Sequence, residues 1–136
     1  MNITFCGTKQ NYIFLKDDSV SVWASQAVMA QNALVAYQKY GDTSCFHTKN
    51  TAFVLHDSEK KLILAARDHF GLLPIFYTQT GENFLFGFSI KDILDSGLIK
   101  PRVNPSKIKE YFDWDCRNAP ADNQTFFQNI FAFNHL

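Results

Sequence analysis

The chain has 136 residues, of which 46% are apolar and 14 are phenylalanine, and its 13 basic and 13 acidic side chains balance. This length suits one domain with a real core, and the apolar content argues against disorder. Because the charges balance, neither nucleic acid nor an anionic membrane surface is an expected partner. The sequence has no apolar run of membrane-spanning length and no signal-peptide pattern, so a cytoplasmic location is predicted.

The first half of the sequence predicts short strands and one amphipathic helix. Three β-prone runs separated by polar turns suggest a strand meander, at residues 3–6, 12–15 and 19–23. A helix is predicted from a Ser25 cap to about Tyr40, where Gly41 can end it. Its buried face is predicted from apolar side chains at helical spacing: Ala27, Ala30, Leu34 and Tyr37.

The second half predicts two hairpins and two helices. Apolar runs bounded by turn residues predict the hairpin strands, at 51–57 with 61–66 and at 73–79 with 83–88. Gly81 suits the turn of the second hairpin. Capping residues predict the helices, at 89–96 and 104–114. Ser89 caps the first and Gly97 ends it, while Pro105 opens the second and residues 115–124 read as an exposed loop.

Three cysteines occur, an odd number, and they are far apart in the sequence: Cys6, Cys45 and Cys116. They form no C-x-x-C pair, so reduced thiols are expected. A metal site of Cys45, His47 and His56 is conceivable, but its spacing matches no common zinc site. No metal is therefore predicted.

An Arg, an Asp and a His stand together just before Gly71. Arg67 and Asp68, at an apolar strand end, point to opposite faces, so each needs its own partners. We interpret them as architectural, with Asp68 accepting backbone N–H groups across the Gly71 turn and Arg67 holding a neighbouring loop. Gly71 allows the tight turn, and Pro74 fixes the entry into the next strand. The alternative, a proton-transfer pair of Asp68 and His69, needs a pocket and a substrate that the spacing does not show.

The segment TAFVLHDSEKKLILAARDHFGLLPIFYTQTGENFLFGFSIKDIL resembles the C-terminal half of the class II glutamine amidotransferase domain of asparagine synthases. In that family an F-A-F-x-L-x-D strand leads to an A-R-D-x-x-G-x-x-P-L-Y-Y segment, a hairpin and an S-E-I-K-x-L helix. The order and spacing match from Ala52 to Leu94, and NPSKIKEYFDW and TFFQNIFAFNHL continue the likeness. The resemblance covers about residues 33 to 136.

The resemblance implies an α+β fold of the N-terminal nucleophile hydrolase type: a four-layer sandwich of two antiparallel sheets between helices, as a single domain over residues 1–136. In active relatives an N-terminal Cys attacks the glutamine side-chain amide, its own α-amino group acts as base, and ammonia passes to an ATP-using synthetase domain. No cofactor is expected in the amidotransferase domain itself.

Cys6, followed by Gly7, resembles the Cys-Gly start of that family, but it stands behind Met1 to Phe5. Its nitrogen is then an amide without a basic lone pair, so Cys6 is the expected catalytic residue only if the chain is cut after Phe5. The family's R-G-P-D and N-G-E glutamine-pocket segments have no counterpart before Ala52, which leaves the substrate-binding residues unknown. No S-G-G-x-D-S nucleotide loop occurs, so the synthetase domain is expected to be absent from this chain.

Whether the chain is an enzyme is left open among three hypotheses. The favoured one is a degenerate amidotransferase domain, a pseudoenzyme that acts as a scaffold or a homodimer surface for an amide-forming synthetase module. The second is an active glutamine-hydrolysing domain that supplies ammonia for asparagine synthesis after Cys6 is exposed. The third is a free-standing module that binds a protein partner through the aromatic segment FFQNIFAF.

Overall fold

The computed structural model describes residues 2–7, 12–42, 52–68, 71–113 and 122–133. The described residues fall into two compact units, a discontinuous unit within 2–6 and 75–133 and a continuous unit within 7–74. The elements in chain order are β1 (Asn2–Phe5), β2 (Ile13–Asp17), β3 (Val20–Ala24), α1 (Ala27–Tyr40), β4 (Ala52–Asp57), β5 (Leu62–Arg67), β6 (Phe76–Thr80), β7 (Asn83–Gly87), α2 (Ile90–Asp95), α3 (Pro105–Asp113) and β8 (Phe131–Ala132). Within the described ranges, no helix has the length and apolar character needed to cross a membrane.

The continuous unit is an antiparallel sheet of order β2-β3-β4-β5 with α1 packed on it. Strand β4 is central and nearly fully buried, as its apolar run predicts. The core joins one face of α1 to the sheet and includes these buried residues: Val22, Ala30, Ala33, Leu34, Tyr37, Phe53 and Leu55. Burial of this apolar face is what stabilises α1, because its Gln26 N-cap makes no side-chain capping bond.

The discontinuous unit has a sheet of order β1-β7-β6-β8. Strands β6 and β7 form the predicted hairpin, and Ser89 caps α2 by accepting a hydrogen bond from the Asp92 amide at 3.1 Å. Helix α2 packs on β6 and β7. The core of this unit contains the buried residues Cys6, Leu85, Ile93 and Ile130.

The sheet of the discontinuous unit is mixed, whereas the prediction had two antiparallel sheets. Strand β1 pairs in parallel with β7, in a register that runs from Asn2 beside Asn83 to Phe5 beside Phe86. A parallel pair needs a long crossover connection, and here the connection contains the whole continuous unit. The predicted meander of the first three strands is therefore wrong for β1, although β2 and β3 do form a hairpin.

Two details of α1 also differ from the prediction. Gln26 is the N-cap residue rather than Ser25, whose hydroxyl instead accepts a hydrogen bond from the Ala52 amide at 3.4 Å. Ala33 is buried where Ala27 was expected, because Ala33 lies three residues after Ala30 and four before Tyr37 and so shares their face. The predicted ends at Gly41 and Gly97 and the hairpin turn at Gly81 are confirmed, each with positive φ.

Candidate functional site

Cys6 follows β1 directly and continues its pairing with β7. Its backbone N–H donates a hydrogen bond to the carbonyl oxygen of Phe86 at 2.7 Å, and its side chain is only 4% exposed. A side chain at Gly87 is excluded, because a Cβ there would lie 2.6 Å from the Cys6 carbonyl oxygen. The main-chain nitrogen of Cys6 is thus a peptide amide that is engaged in the sheet.

The Cys6 thiol lies in the core of the discontinuous unit, with Ser96 and Asp92 nearby. Burial raises the pKa of the Cys6 thiol, the nearby Asp92 carboxylate adds to the rise, and a hydrogen bond with Ser96 lowers the pKa by less. Since the thiolate is the nucleophilic form of cysteine, a raised pKa keeps Cys6 in its less reactive form at neutral pH. In this structure Cys6 is therefore a core residue of the discontinuous unit.

The Arg67–Pro74 motif forms the C-terminal end of the continuous unit. The Gly71 amide donates to the Asp68 carbonyl oxygen at 3.0 Å, and the Leu72 amide donates to Asp68 Oδ2 at 3.3 Å. Gly71 has φ +64°, and a Cβ built there would overlap Arg67 Nη2 and approach Arg67 Cζ to 2.9 Å. The Arg67 guanidinium therefore lies against the bare Cα of Gly71, and a side chain at this position would have both a strained backbone and an overlap that Arg67 must move to relieve.

The two charged residues of the motif are not fully paired. Asp68 is buried, yet Asp68 Oδ1 and Arg67 Nε have no hydrogen-bond partner in the part of the chain that the structure describes. Pro74 is partly buried and lies two residues before β6. His69, the partner in the alternative proton-transfer pair, lies outside the described residues. The architectural role of the motif stays a prediction.

A second carboxylate site, at the end of β4, was not singled out from the sequence. Buried Asp57 accepts a hydrogen bond from the Tyr37 hydroxyl at 2.7 Å through Oδ2. Its Oδ1 accepts from the Glu59 and Lys60 amides at 3.0 Å each. Lys60 Nζ lies 3.9 Å from Asp57 Oδ2 and 4.8 Å from the centre of the Tyr37 ring. Asp57 thus ties the β4–β5 turn to α1.

The hydrogen bonds of this cluster set its protonation. The Lys60 amide, followed by the Tyr37 hydroxyl, lowers the pKa of Asp57 below its usual 3.8. Burial, together with the neighbouring Asp57, raises the pKa of Tyr37. Burial lowers the pKa of His56. The sequence signal was present, because Asp57 is the last letter of the F-A-F-x-L-x-D strand, but its partner Tyr37 is 20 residues away.

An aromatic surface lies on α3 and the segment that follows it. Tyr111 packs edge-on against Phe112 and Phe126, with ring centres 5.7 and 5.6 Å apart, and Phe112 is 72% exposed. A cavity of about 300 Å³ opens beside Tyr111 and Phe126. The ion pair of Lys107 with Glu110 and Asp122, at 2.8 Å to each, lies at this surface. We call Tyr111, Phe112 and Phe126 the aromatic patch.

No group of three or more His, Cys, Asp or Glu side chains in the described ranges is placed to hold a metal ion. Two members of the conceivable metal set, Cys45 and His47, lie outside those ranges. The expectations of no metal and no cofactor stay predictions.

Comparison with known proteins identifies what the chain is similar to. A family model described as a glutamine amidotransferase domain matches residues 2–135. "Asparagine synthetase [glutamine-hydrolyzing] 3" of Bacillus subtilis is 46% identical over 70 residues, which are 52% of this chain and 11% of that protein. "Putative asparagine synthetase [glutamine-hydrolyzing] 2" of Methanocaldococcus jannaschii is 30% identical over 114 residues, which are 81% of this chain and 22% of that protein.

The relatives also include "Amidase chyE" of Penicillium rubens, 35% identical over 66 residues, which are 48% of this chain and 10% of that protein. The chain therefore spans about a tenth to a fifth of the length of these curated relatives. No solved structure gives a significant match. The resemblance to asparagine-synthase amidotransferase domains is confirmed, and together with the two four-stranded sheets and their helices it confirms the predicted α+β fold class, except that the sheet of the discontinuous unit is mixed.

Proposed function

Because the chain belongs to the glutamine amidotransferase domain family, we propose that it is the amidotransferase-type domain of an asparagine-synthetase-like protein and that it serves an ATP-dependent synthetase module as a non-catalytic scaffold. A cytoplasmic location is part of this proposal, supported by Cys6, which forms no disulfide within the described ranges. The family match gives the ancestry of the chain, whereas glutaminase activity depends on whether Cys6 has a free α-amino group.

One observation carries the non-catalytic part of the proposal. The residues before Cys6 form β1, which pairs with β7 along its whole length, and Phe5 packs its ring 5.3 Å from Phe86 and 5.5 Å from Phe88. A cut after Phe5 would therefore remove a paired strand with its aromatic contacts. Without that cut the nitrogen of Cys6 is an amide, which cannot act as the base for its own thiol.

Glutamate release from glutamine tests this part directly. The full chain, its Cys6→Ala variant and a form made to begin at Cys6 are compared, with intact mass confirming each N-terminus and circular dichroism confirming each fold. We expect no release by the full chain and no difference from Cys6→Ala. For the form that begins at Cys6, we expect a lower Tm, because β1 is lost, and no glutaminase activity. Release by the full chain that disappears in Cys6→Ala would contradict the proposal.

An active glutaminase is the second candidate, because the two asparagine synthetases that match are named glutamine-hydrolysing and Cys6-Gly7 has the expected order. In this case the form that begins at Cys6 would release glutamate, and its Cys6→Ala counterpart would not. This result would mean that the raised thiol pKa is a property of the uncut chain alone. In the cut chain, a free α-amine beside the thiol would provide the missing base.

The aromatic patch supports the scaffold role. Its rings are exposed, and more than three-quarters of the length of the two synthetase relatives lies outside the matched region. We therefore assign the patch to the synthetase module. Phe112→Ser should weaken association with the remaining part of the Bacillus subtilis relative in sedimentation experiments. Phe14→Ser, at an exposed phenylalanine of the continuous unit, is the matched control and should leave association unchanged. Self-association that Phe112→Ser removes would assign the patch to a homodimer instead.

A further inference from the structure

A second cavity, of about 220 Å³, lies in the discontinuous unit and is lined in part by Thr78. Its polar lining comes from the C-terminal half of β6, from the segment after α2 and from the turn before β8: Thr78, Thr80, Lys100, Arg102, Gln128 and Asn129. The Gln128 amide donates to the Arg102 carbonyl oxygen at 2.7 Å, which fixes two of these segments to each other. A backbone hydrogen bond thus holds the segment after α2 to the turn before β8.

Thr78 supplies an unsatisfied polar group to this cavity. It is fully buried, and among the residues that the structure describes its Oγ1 has no hydrogen-bond partner. Strand β8 pairs with β6 only at Phe76 and Tyr77, so it ends before Thr78, and strand alternation places Thr80 on the same face as Thr78. A buried hydroxyl without a partner is destabilising, and a ligand in the cavity would satisfy it.

The cavity also contains unpaired positive charge. In this unit Lys91, Lys107 and Lys109 each pair with a carboxylate of α2, α3 or the segment after α3. Within the described ranges Lys100 and Arg102 form no ion pair, and no acidic side chain lines the cavity. Two uncompensated cations beside a concave wall create a positive potential that favours a negatively charged ligand.

We propose that this cavity binds a small molecule through an oxyanion group, either phosphate or carboxylate. Arg102 supplies a planar fork of donors suited to either group, and Lys100 supplies a second charge. Thr78, which also lines the cavity, would supply a hydroxyl donor to the same group. The volume corresponds to about seven water molecules at ~30 Å³ each. This size suits a compact anion rather than a nucleotide.

Calorimetric titration of the full chain with inorganic phosphate and with acetate, at constant ionic strength set by chloride, tests the proposal. We expect saturable binding of at least one anion at one site. Arg102→Gln should weaken that binding at least tenfold, because it removes a charge-assisted donor pair. Thr78→Val should weaken binding about tenfold without lowering the Tm of the free protein, because it replaces an unsatisfied hydroxyl with a methyl group of similar shape.

Lys91→Gln is the matched control, since it removes a lysine of the same unit that is already paired with Asp95. Binding that persists in Lys91→Gln and is lost in Arg102→Gln supports the site, and the preferred anion identifies the ligand as a phosphate or a carboxylate. The proposal is overturned if neither anion binds saturably, or if the control loses binding to the same extent as Arg102→Gln. If Thr78→Val does not fold, the exposed Arg102 position still decides the outcome.

Discussion

Asp57 shows how a single carboxylate links local and long-range structure. Its Oδ1 organises the turn after β4 through two backbone amides, while its Oδ2 reaches Tyr37 on α1. Because folding lowers the pKa of Asp57 below 3.8, the charged form is favoured in the native state. The stabilisation is fully present above the unfolded-state pKa and is lost as the pH falls through the lower folded-state pKa.

Asp57→Asn tests this linkage. The variant should have a lower Tm at pH 7, by a few degrees, and its Tm should depend less on pH below pH 4 than that of the wild type. Thermal melts between pH 2.5 and 7 measure both effects. Asp113→Asn, at an exposed carboxylate of α3, is the control and should keep the acid dependence of the wild type. Parallel curves for Asp57→Asn and the wild type would contradict the assignment.

The contact between Gly71 and Arg67 gives the second residue-scale prediction. Gly71→Ala should destabilise the protein by about 1–2 kcal/mol, because alanine is strained in the left-handed backbone conformation. Overlap of the new Cβ with the Arg67 guanidinium should add a further cost to this. Gly97→Ala, with φ +70° and no atom within 4 Å of the added Cβ, should show the backbone cost alone.

A double-mutant cycle separates these two costs. In an Arg67→Ala background, Gly71→Ala should cost less than in the wild type and should approach the cost of Gly97→Ala, as measured by urea unfolding. Equal costs of Gly71→Ala in both backgrounds would show that the Arg67 side chain moves away freely. The A-R-D-x-x-G order would then require another explanation.

At the scale of elements, the sequence predicts what is local. Hairpin β6–β7, the Ser89 cap and the Pro105 start of α3 follow from residues within a few positions of one another, and all three are present. The parallel pairing of β1 with β7 joins residues about 80 positions apart, and no local pattern specifies it. Local patterns likewise do not predict the contact of Asp57 with Tyr37 or the cavity at Thr78, because both depend on segments that only the fold brings together.

At the scale of the whole molecule, the connection between β1 and β7 matters most. The pairing of β1 with β7 closes a loop that contains the entire continuous unit. Closing an ordered loop costs less conformational entropy than closing a flexible loop of the same length. The stability of the β1–β7 pair should therefore depend on the folded state of the continuous unit. If residues 1–136 form one domain, as predicted, the β1–β7 pair and the continuous unit should also unfold together, since a domain unfolds cooperatively.

Leu55→Ala tests this dependence through the reactivity of Cys6. Leu55 is fully buried in the core of the continuous unit, and its truncation should destabilise that core by about 2–5 kcal/mol. The Cys6 thiol, buried in the other unit, reacts with iodoacetamide only when its surroundings open. We expect Leu55→Ala to raise the alkylation rate of Cys6, followed by peptide mass spectrometry, by tenfold or more. Val35→Ala, at an exposed position of α1, should leave that rate unchanged. An unchanged rate in Leu55→Ala, despite a lowered Tm, would show instead that the two units open independently and that the chain comprises two cooperative domains.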